Sequence, residues 1–518
     1  MLKTNKPQYD FFTNEVFNKL LPKDHQLIKI ENIIDFDSIY DEFKDKYSNI
    51  GRGSKDPVMM IKILLLEYLY NYSDVQMEKA IQTDIAFRWF LGLNLDEKGP
   101  DASTISYFRV KRTTKDDLEE IFNKVIETAI EKGFVKHQRF IIDSTDVAAN
   151  VNYPSAKRLL YSSLENVIKR IQKLDTLTAL SLNDKCNTIF TELRETSNDE
   201  YSVQELAISI KEIAESIPGE KLSQYIEDEK FVKEYQTLFG LLKQANKNGG
   251  DKIISVVDPD ARVAHKSRGN LKKGYKNHII IDEESEMILA SIQTPFNVKD
   301  EKRMTQLIEA VEINHGLKPT ELSADKAYGI YENRAYLSER GIQCHIAFHD
   351  VNKDNKLFGI DDFTIDEELE YVICPAGYKT YDYSFRSKMD SEEGEIIFRF
   401  DKATCKTCPI NSKCAPMKKE SKTRSRRELR LDRRYDVVMK DMSHNKTEHF
   451  KQAWNRRSIV ERRFATLVRN CGLRRSRYIG MTATSKHIIL SNIACNIKRL
   501  LKLVQQSDLR AQLQTQCT

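Results

Sequence analysis

The sequence has no apolar run long enough to cross a bilayer. Its most apolar stretch, VMMIKILLLEYLY from Val58 to Tyr70, is interrupted by Lys62 and Glu67 and falls short of the roughly 20 residues that a spanning helix needs. It reads instead as a buried helix. The amino-terminal MLKTNKPQYD lacks the apolar centre of a signal peptide, so a cytoplasmic protein without membrane contact is expected. In that compartment the nine cysteines are thiols or metal ligands rather than disulfides. Neither a fibrous nor a disordered chain fits a composition of 40% hydrophobic and 31% charged residues over 518 positions, which leaves room for two or three globular domains. A net charge of +5 is too small for this length to imply nucleic acid by itself. The informative scarcity is local: from Arg456 to Arg477 there are eight arginines and a single acid, Glu461, and Met417 to Lys440 is also rich in Lys and Arg. A solvated face would mix signs, whereas the planar fork of Arg suits phosphate oxygens.

The elements follow from punctuation and periodicity. Asp56-Pro57 ahead of the apolar run supplies an N-cap and a proline at the first helical position. Ser73 and Gln76 stand at capping-box spacing, and DIAFRWFLGL gives a further helix ending near Gly92. With STISYFRVKRTTKDDLEEIFNKVIETAIEKG, read as two helices of which the first is short and basic, residues 45–135 are expected to be all helical. The short basic helix suits either a recognition helix of helix-turn-helix type or the core of a helical bundle.

QRFIIDSTDVAANVNYPS changes the pattern. Phe140, Ile141 and Ile142 form an unalternating, β-rich run, as in a strand covered on both faces. Asp143 then stands at the carboxyl end of the strand, where open α/β sheets bind ligands, although Asp there also merely starts turns. Residues 154–250 are polar, helix-patterned and without a chemical motif, and are read as a helical insertion. Two strands at about 276–281 and 287–293 around an acidic turn make a hairpin. A helix (EKRMTQLIEAVEIN), a strand (TELSAD), a helix (YENRAYLSER) and a strand (QCHIAFH) follow. This order fits an α/β fold with a five-stranded, ribonuclease-H-like mixed sheet. TELSAD ends at Asp325, a second aspartate at the same kind of strand end, and QAWNRRSIVERRFATLVRNCG offers Glu461 as a third acid. Trp454, Arg457 and Glu461 share one helical face if the helix through them is continuous. Glu461 equally suits a capping box with Ser458 or an ion pair with Arg457, and Asp146 competes with Asp143.

DSTDVAANVN, SADKAYG and the W-x2-R-x3-E pattern with Arg469 beyond it resemble the three acidic blocks of bacterial insertion-sequence transposases of the DDE type. DPVMMIKILLLEYLY, IAFRWFLGL and PDASTISYFR resemble the helical amino-terminal domain common in that group. Trp454 stands where family members have Tyr, and Arg469 lies one position beyond their usual Lys, where Val468 stands. The resemblance implies an enzyme that binds the terminal inverted repeats of its element, cleaves DNA with Mg²⁺ or Mn²⁺ held by Asp143, Asp325 and Glu461, and joins the ends to target DNA as a homodimer. The rivals are a catalytically inactive, domesticated DNA-binding protein and a metal-dependent DNA nuclease of the same fold. Arg457, Arg469, Arg474 and Arg475, with Arg426 and Arg427 of KKESKTRSRRELRLDRR, are the candidate DNA contacts. Cys374, Cys405, Cys408 and Cys414 approach the spacing of a Cys₄ structural Zn²⁺ site, the alternative being ordinary packing thiols. The expected organisation is a helical DNA-binding domain (1–135), a catalytic core (136–153 and 251–350), the helical insertion (154–250), a cysteine-rich basic module (351–440) and a carboxy-terminal catalytic helix with the helical end of the core (441–518).

Overall fold

A computed structural model describes residues 9–44, 54–136, 138–195, 202–245, 252–267, 270–348, 357–366, 368–387, 394–414, 426–432 and 435–517. The amino-terminal region is helical. Asp56 Oδ1 accepts from Val58 N at 2.7 Å, which starts the helix Pro57–Leu69. The capping box of Ser73 and Gln76 starts Asp74–Thr83, and Gly92 closes Ile85–Leu91 in the left-handed conformation. The short basic segment forms the helix Ala102–Tyr107 and then one π-helical turn, Phe108–Arg112. A second capping box, Thr114 with Asp117, opens Lys115–Glu131.

The central sheet contains β1 (Arg139–Ala148), β2 (Arg262–Ser267), β3 (Asn270–Asp282), β4 (Ile288–Pro295), β5 (Glu321–Ala324) and β6 (Gln343–Ile346). Its order is β2-β3-β1-β5-β6, with β4 also paired to β3. The sheet therefore has six strands, where the sequence suggested five. β3 is longer than its apolar centre: Asn270 to Gly274 pair with β2 and Tyr275 to Ile281 with β4. Without β2 the order is β4-β3-β1-β5-β6, antiparallel on one side of β1 and parallel on the other, compatible with a ribonuclease-H-like sheet. At Gly274, φ is +131°, and a Cβ would lie 2.4 Å from the carbonyl oxygen of Val147. Only glycine permits that approach of β3 to the far end of β1.

Among the described residues, the insertion between β1 and β2 forms five helices, from Ala156–Leu174 to Glu229–Ala245, around its own core of residues such as Leu164, Ile168, Ile210, Phe231 and Leu238. The amino-terminal helices, in contrast, share one continuous core with the sheet. The helix Met481–Cys517 joins them by packing on Lys115–Glu131, on Pro57–Leu69 and on β4. Polar pegs fix its position: Asn496 accepts from Ile288 N at 2.9 Å and donates to Ile288 O at 2.8 Å. These bonds also satisfy backbone groups on β4, which would otherwise be an open sheet edge. Lys486 donates to the carbonyls of Arg109 (3.0 Å) and Thr113, placing a cation at the carboxyl end of the π-helical turn.

The described residues between 357 and 432 carry two small three-stranded sheets and a separate core built on Val372, Ile396, Phe398, Phe400, Leu429 and Leu431. After them, Glu448–Arg456 and Ile459–Asn470 are two helices. The expected continuous helix is interrupted at Arg457 and Ser458. There Ser458 N bonds to Asn455 O and Glu461 N to Ser458 O, a tighter three-residue winding.

Candidate active site

β1 does not end at Asp143. Its parallel pairing with β5 ends at Ile142 opposite Ala324, but its antiparallel pairing with β3 runs on to Ala148 opposite Gly274. Asp143 therefore sits where β1 loses one neighbour, and Asp325 follows Ala324 on that neighbour. Side chains alternate along a strand, so Asp143 and Asp146 point to opposite faces. Asp146 is 3.7 Å from Lys272, and the face of Asp143 is the one crossed by the helices that follow the small sheets.

Asp143 is mostly buried. Its Oδ1 accepts from Ser144 N at 2.8 Å, and its Oδ2 from Arg457 Nη1 at 3.2 Å. Arg457 lies over the ring of Trp454, 5.2 Å from its centre. Burial raises the Asp143 carboxyl to about 6, against the help of Ser144 N–H and Arg457, and the charges of Glu461 and Asp325 raise it further. The three acids thus share one electrostatic environment with a single arginine at its centre. Asp325 is exposed and caps a short 3₁₀ turn through a 2.7 Å bond from Lys326 N. Glu461 is exposed in the first turn of Ile459–Asn470. The alternatives for Glu461 are not realised: Ser458 makes no capping bond and donates to Asn455 O instead, and Arg457 turns to Asp143.

Tyr328, within the quoted SADKAYG block but not singled out from sequence, belongs to this environment. Its hydroxyl is buried beside the Ser144 side chain, and burial first, then the charges of Asp300 and Asp143, hold its pKa well above the usual tyrosine value. Three acids sharing one environment with a single compensating arginine are a donor set that fits hard, oxygen-seeking divalent cations. The acids do not crowd directly on one another. Among the described residues, only His345, His444 and His449 bring three ligand atoms within 4.8 Å of one another. Carboxylates on opposite sides of a two-ion pair stand up to about 8 Å apart.

Most of the arginine-rich window is internally committed. Arg462 and Arg463 each reach Glu286 at 3.0 Å, joined by Arg499 at 3.4 Å. Arg456 reaches Glu283 at 2.7 Å, and Arg477 bonds Tyr72 O and Asn71 Oδ1. Arg469, Arg474 and Arg475 remain exposed. The last two are docked by backbone bonds to β1, from Ala148 N to Arg474 O at 3.1 Å and from Ser476 N to Ala148 O at 2.8 Å. Arg427 is turned inward, donating to Phe358 O at 3.2 Å, so its guanidinium serves the small core rather than an external phosphate. Arg426 is half-buried beside the cysteine cavity, and the basic run 418–425 with Arg433 and Arg434 lies outside the described residues. Arg109, in the short basic helical segment, is also buried, bonded to Glu67 and Asp74.

Cys374, Cys405, Cys408 and Cys414 line one cavity with Tyr378 and Phe400. Burial pushes the Cys414 thiol up to about 11 despite Arg427, with contributions from the other three cysteines. The sulfurs are spread more widely than the ligands of a bound ion.

Residues 15–111 match a family model described as Transposase domain (DUF772), and residues 373–501 match one described as Transposase DDE domain. Both matches support an insertion-sequence DDE transposase. The DDE match contains Glu461 and stops short of Asp143 and Asp325, whereas the first covers the helices from within Phe11–Leu20 to the π-helical turn. A DDE transposase domain implies a nucleotidyl-transfer enzyme that acts on DNA and uses a divalent metal, Mg²⁺ or Mn²⁺. No helix among its described residues is long and apolar enough to cross a membrane.

Proposed function

We propose that this transposase binds the terminal inverted repeats of its element, cuts there, and joins the freed 3′ ends to target DNA, with Asp143, Asp325 and Glu461 holding the divalent cations. The observation that carries this reading is the position of Asp143: largely buried, at the end of the parallel pairing, raised to about 6, and compensated by the Ser144 N–H and Arg457. Cations bound there supply activation of the attacking oxygen and stabilisation of the leaving one in both in-line displacements at phosphorus. Tyr328 offers its hydroxyl to the same region. Arg457, stacked on Trp454, holds the Asp143 carboxylate in place and stands ready to turn its fork to a substrate phosphate. Arg469, Arg474 and Arg475 supply the exposed phosphate contacts nearest this face.

The four cysteines form a structural Zn²⁺ site once their sulfurs close on the shared cavity. The working unit is a cytoplasmic homodimer on DNA, and the helices of 9–135 contribute to end recognition. Labelled end DNA incubated with purified protein and Mg²⁺ tests the reading. Nicked and strand-transfer products are expected. Binding without cleavage identifies an inactive, domesticated protein, and cleavage without joining a nuclease.

A further inference from the structure

A second cluster stands on the same sheet face, away from Asp143. His345 on β6 is buried, His444 ends the helix Tyr435–His444, and His449 lies in the first turn of Glu448–Arg456. Their ring centres are 5.0, 5.0 and 5.8 Å apart, and one ligand atom from each falls within 4.8 Å of the others. His345 Nδ1 and His444 Nε2 are 3.1 Å apart, near the roughly 3.3 Å edge of a tetrahedron with metal–nitrogen bonds of about 2.0–2.1 Å. The opposite nitrogen of His345, Nε2, is 2.9 Å from Glu321 Oε2, which is also 3.4 Å from His449 Nε2. A carboxylate fixing the ring of a ligating histidine is the usual outer partner in such sites. His449 is 51% exposed, so an ion has a way in.

We infer that His345, His444 and His449 form a binding site for a borderline transition-metal ion of the Zn²⁺ class, with Glu321 as the orienting carboxylate. Imidazole nitrogens suit Zn²⁺ and its transition-metal neighbours, whereas Mg²⁺ prefers oxygen, so this site and the acidic one take different metals. The site also has a mechanical position. Phe450 packs on the rings of His345 and His444, Trp454 stacks on Phe450 at 5.9 Å, and Arg457 lies over Trp454 and reaches Asp143. An ion bound by β6 and both helices clamps the start of the helix that presents Arg457.

The full chain, stripped of metal, reduced and saturated with Mg²⁺, is titrated with Co²⁺ as a spectroscopic probe. Two equivalents should be taken up, one giving the near-ultraviolet charge-transfer band of the cysteine cluster proposed above and the other giving only visible ligand-field bands of nitrogen coordination. In His449→Asn, an exposed position where folding is readily checked by circular dichroism, the Co²⁺ affinity read from that signal should fall at least about tenfold, and in Glu321→Gln about ten- to a hundredfold. Cys405→Ser should leave it unchanged. Added Zn²⁺ should displace the Co²⁺ and raise the melting temperature of the wild type more than that of His449→Asn. Wild-type protein that gives only thiolate-type spectra, or takes up no Co²⁺, overturns the inference whatever the variants do. Equal nitrogen-type signal in wild type and His449→Asn overturns it too, leaving the cluster as a hydrogen-bonded histidine relay.

Discussion

Glu286 and Asp143 are both largely buried carboxylates facing arginines, and their surroundings are opposite in sign. Glu286, in the turn between β3 and β4, is met by Arg462, Arg463 and Arg499. Asp143 has Arg457 alone, with two further acids bearing on it. The first is a saturated clamp tying the helices 459–470 and 481–517 to the sheet. The second is a deficit of positive charge, which under the proposed function is where the divalent cations bind. A basic segment therefore has two uses, and arginine content alone does not separate them.

The sharpest way to test this difference is to neutralise each carboxylate. At the deficit site, Asp143→Asn, Asp325→Asn and Glu461→Gln should each lower cleavage by roughly a thousandfold or more, while gel-shift assays still show DNA binding. Asp146→Asn, on the opposite face, should keep substantial activity, and an inactive Asp146→Asn beside an active Asp143→Asn would reverse the assignment. At the saturated site, Glu286→Gln should cost about 3 kcal/mol in urea unfolding, because it leaves Arg463 and Arg499 partly buried without their anion.

Asp143→Asn should have the opposite effect on metal-free stability. A carboxyl raised from 3.8 to about 6 in the folded protein destabilises the fold where it must ionise. The cost is fully present above about pH 6, shrinks as pH falls through that value, and is gone below 3.8, where it is protonated in both states. The variant should therefore melt higher than wild type at pH 8 without metal, by at most about 3 kcal/mol, and the two should converge near pH 4. A constant difference across that range would mean that burial does not govern this group. The smallest effect concerns the exposed arginines. Neutralising Arg474 and Arg475 together should reduce the slope of log affinity against log salt by about 2, for end and random DNA alike. Lost discrimination at unchanged slope would make them readers of bases.

Local grammar was the most legible part of the chain. Asp56-Pro57 and Ser73-Gln76 start helices where their chemistry demands, and apolar runs followed by acids locate β1 and β5. Strand continuation was not legible, because residues 143–146 are polar yet remain paired on one side to β3. β2 was missed for a similar reason, as its RVAHKS sequence has no apolar face to advertise it. The split of the arginines between Glu286, Glu283 and solvent depends on which turn of a helix meets which loop, and composition does not carry that information. His345 and His444 are 99 residues apart with no motif between them, so their meeting depends on tertiary packing alone.

The helix Met481–Cys517 has a consequence for synthesis on the ribosome. The helices of 57–131 and the outer strand β4 emerge early, yet the surface that covers them and the side chain of Asn496 that caps Ile288 are translated only after residue 480. Nascent chains must hold an unsealed apolar layer until then, and fragments ending before that helix should be caught by chaperones rather than compete with whole enzyme for transposon ends.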